Sequence, residues 1–583
     1  MEQYYSDERN VQILVSLLKA HGIKKIVVSP GSTNVTFVGS VQQDPWFELY
    51  SCVDERSAAY MAVGLARESG QPVVLSCTGA TASRNYFPAL TEAYYRQVPV
   101  LAVTSTQEES KIGNLVPQVL DRTVQPNDLV KMSVHLETVK DDDDAWDVNL
   151  KANKAILELN HHGKGPVHIN LTTRYSKNFT VKRLPAERRI ERVTLTDNFP
   201  KLLEGKIAIY VGTHAKWTDE QTAAIDSFCE SYNAIVLVDT ASNYNGKYRI
   251  NASLASEQHL NYAIANPDLL IHIGQMSDMA GNAGNPKNVW RVAEDGLLSD
   301  RYHKLTKVFE MPEEFFFRHY ATEQKQEMTY FKASEAVCQC LLGKLPELPF
   351  SHIWVASQLA GKLPKDSVLH LGILAPLRSW SYFPIDKSIE VECNEGGFGI
   401  DGNASTMIGA SLAQPEKIHF GVVGDLSFFY DLNSLGNRHV SRNVRILLIN
   451  NSLGAEFILF KQLNCTHVRD VQKFIAAEGH FGHKSPDLVK HYATDLGYEY
   501  MSAWTKEEFA KCYERFITPE LTDKPMVFEC FTDPVDEDEA LKRMWNIENA
   551  PASLKHEAKQ AVKNIIGKNN VQKVKDIVKI LKK

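Results

Sequence analysis

What most constrains the fold is a rhythm of short apolar runs, each closed by turn residues and followed by a helical pattern. Between residues 1 and 180 the runs are KKIVVSPG, QPVVLSCTG, VPVLAVTS and GPVHINLT. Among the helical patterns, VQILVSLLKAHG is amphipathic and stops at Gly22, and SAAYMAVGLARESG stops at another glycine. Apolar runs alternating with helices imply parallel strands buried on both faces under helices.

A polar, charged stretch with two prolines follows, SKNFTVKRLPAERRIERVTLTDNFP, and reads as a linker. The alternation restarts with KIAIYVG, AIVLVDT, DLLIHIG and KVFEM, then again with SVLHLG, SIEVEC, KIHFGVVGD, VRILLINN and PMVFECFTD. The expectation is an α/β chain of three consecutive doubly wound parallel-sheet domains at 1–180, 181–345 and 346–535, with a basic amphipathic tail at 536–583. In the tail, Val571, Val574, Val578 and Leu581 recur every three or four residues, and lysines fill the other face. Such a helix docks on its own protein, or offers its basic face to an anionic membrane surface or a partner.

Composition excludes some classes. A hydrophobic fraction of 44%, a charged fraction of 23% and a net charge of -7 are globular values and give no support for nucleic-acid binding. The nine cysteines are scattered, which reads as reduced thiols. Cys338 and Cys340 are close, but no second pair completes a metal tetrahedron, so helix packing explains them better. MEQYYSDERN lacks the apolar core of a signal peptide. No run reaches the ~20 apolar residues that span a bilayer. A cytoplasmic protein is expected.

One stretch carries chemistry: GDLSFFYDLNSLGNRHVSRNVRILLINN. Asp425 closes one apolar run, and Asn450 and Asn451 close the next. In open α/β sheets ligands sit outside the carboxyl ends of strands. A carboxylate with a neutral amide suits magnesium, which is usually shared with phosphate oxygens. Gly424 lets a backbone approach closely, and the helix expected at FFYDLNSLGN offers N–H groups to the same anion. The residues thus read as a magnesium–diphosphate site. The middle segment reads IAIYVGTHAKW, without the GxGxxG turn of a dinucleotide site.

GDLSFFYDLNSL followed by NN resembles the cofactor motif of thiamine-diphosphate enzymes, in the version found in the MenD family of menaquinone-pathway synthases. SPGSTNVTF, VDERSAAYMAVGLARESGQPVVLSCTGATA, GPVHINL, PDLLIHIG and GIDGNAST follow that family's order, leaving the basic tail outside. The resemblance implies thiamine diphosphate and Mg2+ as cofactors. It makes Asp425, Asn451 and the Leu453 carbonyl the metal ligands. Gly424, Leu426 and Ser427 line the diphosphate site, and Ile400 is the bulky residue that holds the cofactor bent, although core packing alone also explains an isoleucine there. Glu55 becomes the essential acid, bonded to the aminopyrimidine ring nitrogen so that its imino tautomer is reachable. An apolar pocket would raise the pKa of such an acid. Without the resemblance, Glu55 reads as a helix N-terminal acid or part of a cap with Asp54. The family's cofactor bridges the first domain of one subunit and the third of another, which implies a homodimer or homotetramer.

The chain departs from the family where substrate carboxylates are gripped. PGSR is here PGST, so Thr33 follows Ser32 in place of an arginine. Gln107 stands at another basic position, and NRG becomes NEG, with Glu395 expected to reverse the sign. A Lys-Arg pair of the middle segment becomes Asp278 and Met279, while Arg378 in APLRSW is retained. Each lost charged hydrogen bond is worth ~1.5–3 kcal/mol. The expected activity is a decarboxylating carboligase: a 2-oxo acid donor held by Arg378 and oriented by Gln118, and a less anionic, hydroxylated acceptor met by Ser32, Thr33, Asn34, Gln107, Asn114 and Gln118. The alternatives are the menaquinone-pathway synthase itself, an inactive cofactor-binding scaffold, and a simple 2-oxo acid decarboxylase. A histidine pair near the cofactor often marks the last, but His161-His162 reads as a surface turn.

Overall fold

The computed structural model describes residues 4–258, 264–460, 462–463, 465–480 and 484–548. Of the expected basic tail, Val571, Val574, Val578 and Leu581 lie outside the described residues. The part inside belongs to the helix Pro534–Trp545, which buries Leu541, Met544 and Trp545. No helix among the described residues is long and apolar enough to cross a membrane. The fold is α/β, with several parallel sheets, distributed over two compact units.

The first unit comprises the chain through residue 198 together with 295–310. Its main sheet has six strands in the order 48–51, 25–28, 73–77, 100–106, 167–172, 133–136, every pair parallel. One face packs on the helices Arg9–Ala20 and Asp142–Glu158 through Leu14, Leu17, Val148 and Ile156. The other packs on Glu55–Ser69 and Phe87–Tyr95 through Ala58, Ala62, Ala89 and Leu90. Gly22 (φ 76°) and Gly70 (φ 66°) supply the left-handed residues that end the two helices read from sequence.

The stretch expected to be a linker is pinned at three points. Phe179–Val181 pairs antiparallel with Tyr5–Ser6. The Ile190 N–H donates to Asn153 Oδ1 at 2.9 Å. Glu191–Thr194 runs parallel to Leu305–Glu310. Isolated apolar residues among the charges, Ile190 and Val193, are buried and do the anchoring. KVFEM thus lies mostly within a strand of the first unit.

The second unit holds two parallel sheets. One runs in the order 249–250, 235–238, 207–211, 269–273, 288–292. The other runs 390–393, 368–371, 419–424, 444–450, 526–531, 499–503. In the first of these, the IAIYVG strand ends at a glycine for a steric reason: a Cβ on Gly212 would stand 2.3 Å from the Gln275 carbonyl oxygen. Gln275 N in turn donates to Thr213 O at 2.7 Å. Backbone cannot yield as a side-chain tip can, so Gly212→Ala is expected to cost ~1–3 kcal/mol in urea unfolding, and an unchanged midpoint would refute the close approach.

Candidate functional site

The sheet containing Asp425 reverses its winding beside strand 368–371. Strand 390–393 lies on one side of it and 419–424 on the other. Such a switch point opens a crevice at the carboxyl edge of the strands. In the ladder Gly424 is level with Ile449, so Asp425 and the Asn450–Asn451 pair leave the same edge side by side. The helix begins at Asp425 itself and runs to Tyr430, followed by a 3-10 turn at Leu432–Gly436. It was expected further along, at FFYDLNSLGN; Gly424, in extended conformation, is its cap.

Asp425 is 6% exposed. Burial pushes its carboxyl up to about 7, against the pull of the backbone N–H groups of Leu426, Ser452 and Asn451. The two amides divide their work. Asn450 Nδ2 donates to Glu529 Oε1 at 2.7 Å, and Asn450 Oδ1 accepts from Ser452 N at 3.2 Å. Asn451 Oδ1 is buried with no hydrogen-bond partner. An unmet buried acceptor costs about 1–3 kcal/mol. Set beside a buried carboxylate, it is the donor set a hard divalent cation completes. Leu453 is buried as well. A Cβ added to Gly424 would meet nothing within 4 Å, so the neighbouring protein leaves room at that position. These residues fit a metal–diphosphate group.

The GIDG segment is fastened to the same place. Ser427 Oγ donates to Ile400 O at 2.6 Å, and Asn403 Nδ2 donates to Ile400 O and Ser427 Oγ, both at 2.9 Å. Ser427, read as a cofactor contact, therefore spends its hydroxyl proton on holding the Ile400 backbone. The Ile400 side chain is left half-exposed.

Two residues assigned to substrate are engaged within this unit. Arg378 is buried and donates from both terminal nitrogens to Glu456, at 2.8 and 2.7 Å. Burial opposes its charge, but Glu456 outweighs that and raises its pKa. Arg378 is thus paired rather than open to a donor. Glu395 is 2% exposed and accepts from the Asp278 N–H at 2.6 Å. Burial, and then the Asp239 carboxylate, push its carboxyl up to about 9. Burial raises Asp239 too, whose Oδ2 accepts from Ser277 Oγ. Burial beside the Asp239 carboxyl thus works against the ionised form of Glu395, the form that would reverse the sign.

In the first unit the switch point lies between strands 25–28 and 73–77. Thr33 is 2% exposed there and ties three loops together. Its Oγ1 bonds Thr78 Oγ1, donates to Ser105 O at 3.0 Å and accepts from Gly79 N at 3.2 Å. Asn34 is buried and donates to Ser29 O at 3.0 Å. Both side chains are thus spent on holding the loops around them. Ser32, Asn114 and Gln118 are exposed, Gln118 with φ 66°. Gln107 is half-buried between Tyr175 OH at 2.9 Å and Lys111 Nζ at 2.8 Å.

Glu55 opens its helix, but the cap is Asp54, which accepts from Ser57 N at 2.8 Å. Glu55 is half-buried, and its charge reaches Cys77 and Tyr86 at the end of strand 73–77. Sequence reasoning missed Glu456, Asp239 and Glu529. Each stands as a lone acid among apolar or neutral neighbours, so no local pattern marks it.

Residues 9–128 match the family described as thiamine pyrophosphate enzyme, N-terminal TPP binding domain. The 2-succinyl-5-enolpyruvyl-6-hydroxy-3-cyclohexene-1-carboxylate synthase of Phocaeicola vulgatus is 33% identical over 576 residues, covering 93% of this chain and 99% of that one. The enzyme of the same description from Bacteroides thetaiotaomicron is 33% identical over 575 residues, with the same coverage. A solved thiamine diphosphate-dependent 4-hydroxybenzoylformate decarboxylase from Rhodococcus jostii aligns with a TM-score of 0.40 at 17% identity, covering 90% of this chain and 99% of that one.

The raised carboxyl pKa of Glu395 has a measurable consequence. Its folded pKa of about 9 exceeds the ordinary 4.5, so the folded state holds a proton that the unfolded chain has lost. Stability linked to it falls as pH rises through that window. Glu395→Gln needs no proton. Its melting temperature relative to wild type is expected to rise by several degrees between pH 5 and pH 9; a difference constant with pH would mean Glu395 is ionised.

Proposed function

The chain belongs to the thiamine-diphosphate-dependent enzyme family that includes the 2-succinyl-5-enolpyruvyl-6-hydroxy-3-cyclohexene-1-carboxylate synthases, and from that premise we propose a cytoplasmic, Mg2+-dependent carboligase that decarboxylates a 2-oxo acid and joins the remaining fragment to a hydroxylated acceptor less anionic than an arginine-lined site would select. The observation that carries the cofactor half is the unpartnered Asn451 oxygen beside the buried Asp425.

Asp425, Asn451 and the Leu453 carbonyl would hold Mg2+ against the diphosphate. When bound, thiamine diphosphate supplies the carbon nucleophile and the electron sink that decarboxylation and carbon–carbon bond formation need. The protein's own residues do the rest. Gly424 and Leu426 leave backbone at the diphosphate, Ser427 and Asn403 fix the Ile400 segment, and Ile400 supports the ring system. Glu55 offers its carboxyl group to the pyrimidine ring nitrogen. A donor carboxylate reaches Arg378 by replacing Glu456.

The acceptor reading rests on charge. Thr33 and Gln107 are neutral, and Glu395 is neutral while it keeps its proton. The cations nearest Gln107 are paired with Glu108: Lys111 at 2.9 Å and Arg174 at 4.0 Å. Ser32 and Gln118 are exposed polar groups able to meet hydroxyls, and Asn114, whose amide nitrogen donates to Ser110 O at 2.8 Å, keeps its side-chain oxygen for one. The second reading, the synthase reaction named for the relatives, is favoured by 33% identity across 93% of the chain. A homodimer or homotetramer suits the exposed apolar residues Val53, Tyr60 and Met61 around Glu55 and Leu115 and Val124 beyond it.

With Mg2+ and thiamine diphosphate, a panel of 2-oxo acids is expected to release carbon dioxide, faster with aldehydes or keto sugars present. Release indifferent to any acceptor would leave a decarboxylase, and formation of the relatives' cyclohexene carboxylate would overturn the acceptor reading. Glu55→Gln is expected to lower kcat by about 100-fold or more, in line with general acid–base contributions, with cofactor binding retained; full turnover would remove Glu55 from the mechanism. Asn451→Ala is expected to weaken Mg2+-dependent cofactor binding at least tenfold by fluorescence titration.

A further inference from the structure

The histidine pair left aside by the carboligase chemistry lies in the first unit, in the turn after helix Asp142–Glu158, against Glu310 at the end of strand Leu305–Glu310. His161 Nδ1 is 2.9 Å from Glu158 Oε2. With its proton on that bond, His161 presents Nε2 as a bare lone pair. That Nε2 is buried, has no hydrogen-bond partner, and stands 3.2 Å from Glu310 Oε2, which is buried, also without a hydrogen bond, and faces Arg192 Nε at 3.6 Å. Two lone pairs set facing repel unless something positive lies between them. His162 Nε2 closes on the other Glu310 oxygen, and the ligand atoms of all three residues lie within 4.8 Å of one another.

We propose that His161 Nε2, His162 Nε2 and Glu310 form a site for a first-row divalent cation of the zinc class, separate from the magnesium–diphosphate site. Two imidazoles and a carboxylate with one open position are a zinc donor set. The 3.2 Å separation of His161 and Glu310 matches the edge of a tetrahedron with bonds of about 2.0 Å. Glu158 on the far nitrogen of His161 is the outer carboxylate that orients a ligating histidine. The turn is held in advance: Lys131 Nζ donates to the carbonyls of Glu158, His161 and Gly163, and His162 sits in the left-handed region at φ 42°. The His162 side chain is 67% exposed, which gives the ion a path in and a place for water. A cavity of about 450 Å³, lined also by Asn160, Thr194 and Asp197, adjoins the cluster.

Arg192 Nε, 3.6 Å from Glu310 Oε2, and Lys131, 3.5 Å from Glu158, add positive charge. They weaken the hold on a cation, so the site is expected to exchange its ion. Ligands 148 residues apart in sequence would be clipped together, so occupancy stabilises the folded unit.

Chelator-treated protein reloaded with excess Mg2+ and thiamine diphosphate, so that the cofactor site is filled, is titrated with zinc chloride by calorimetry and by metal analysis after desalting. Binding at this site and a higher melting temperature are expected, with both lost in His162→Ala and in Glu310→Gln. His162→Ala removes an exposed side chain and should keep the fold, which its circular dichroism checks. Cobalt(II) is expected to give a tetrahedral visible spectrum in wild type alone. Zinc binding that is absent, or unchanged in both variants, would overturn the site and leave His161 a structural partner of Glu158 and Glu310.

Discussion

A parallel ladder delivers every carboxyl end to one edge, and the register between strands 419–424 and 444–450 decides which residues arrive there together. With Gly424 level with Ile449, a carboxylate and two amides emerge one strand spacing apart, at the place where the winding reverses. Burial then sets their character. Asp425 loses water and resists ionisation, Asn450 is consumed by Glu529, and Asn451 is left with an oxygen that nothing in the chain satisfies. A shift of one residue in that register would exchange the two amides and put Asn451 on the wrong face.

Legibility in the sequence followed burial. The central strands of all three sheets stood out as apolar runs because both their faces are covered. Strands 48–51, 133–136 and 499–503 did not, being edge strands with patterns only partly buried. The linker stretch misled for the same reason: two buried anchors, Ile190 and Val193, among many charges give no periodic signal. The metal–diphosphate motif was readable because its chemistry demands particular residues directly after particular strands. Partners brought together by folding, Glu456 for Arg378 and Asp239 for Glu395, have no local pattern to betray them.

The substituted positions show how a fold absorbs lost arginines. Thr33 became a knot between three loops, with Gly31 packed so tightly that a Cβ would stand 2.6 Å from Thr78. Glu395 entered a buried pair of acids, where one proton and the Asp278 N–H replace a guanidinium's worth of hydrogen bonds. Neither change leaves a net charge facing outward.

The Arg378–Glu456 pair bears on what the enzyme does between turnovers. A guanidinium buried without a counter-ion would destabilise the fold by several kcal/mol, so a site that kept Arg378 ready for a carboxylate alone would be least stable when starved of substrate. Glu456 removes that liability: both terminal nitrogens of Arg378 already close on its carboxylate, at 2.8 and 2.7 Å. Glu456 lies three residues beyond Leu453, so the pair ties the helix Ala375–Ser381 to the segment that follows strand 444–450, and strain at either end is shared by both.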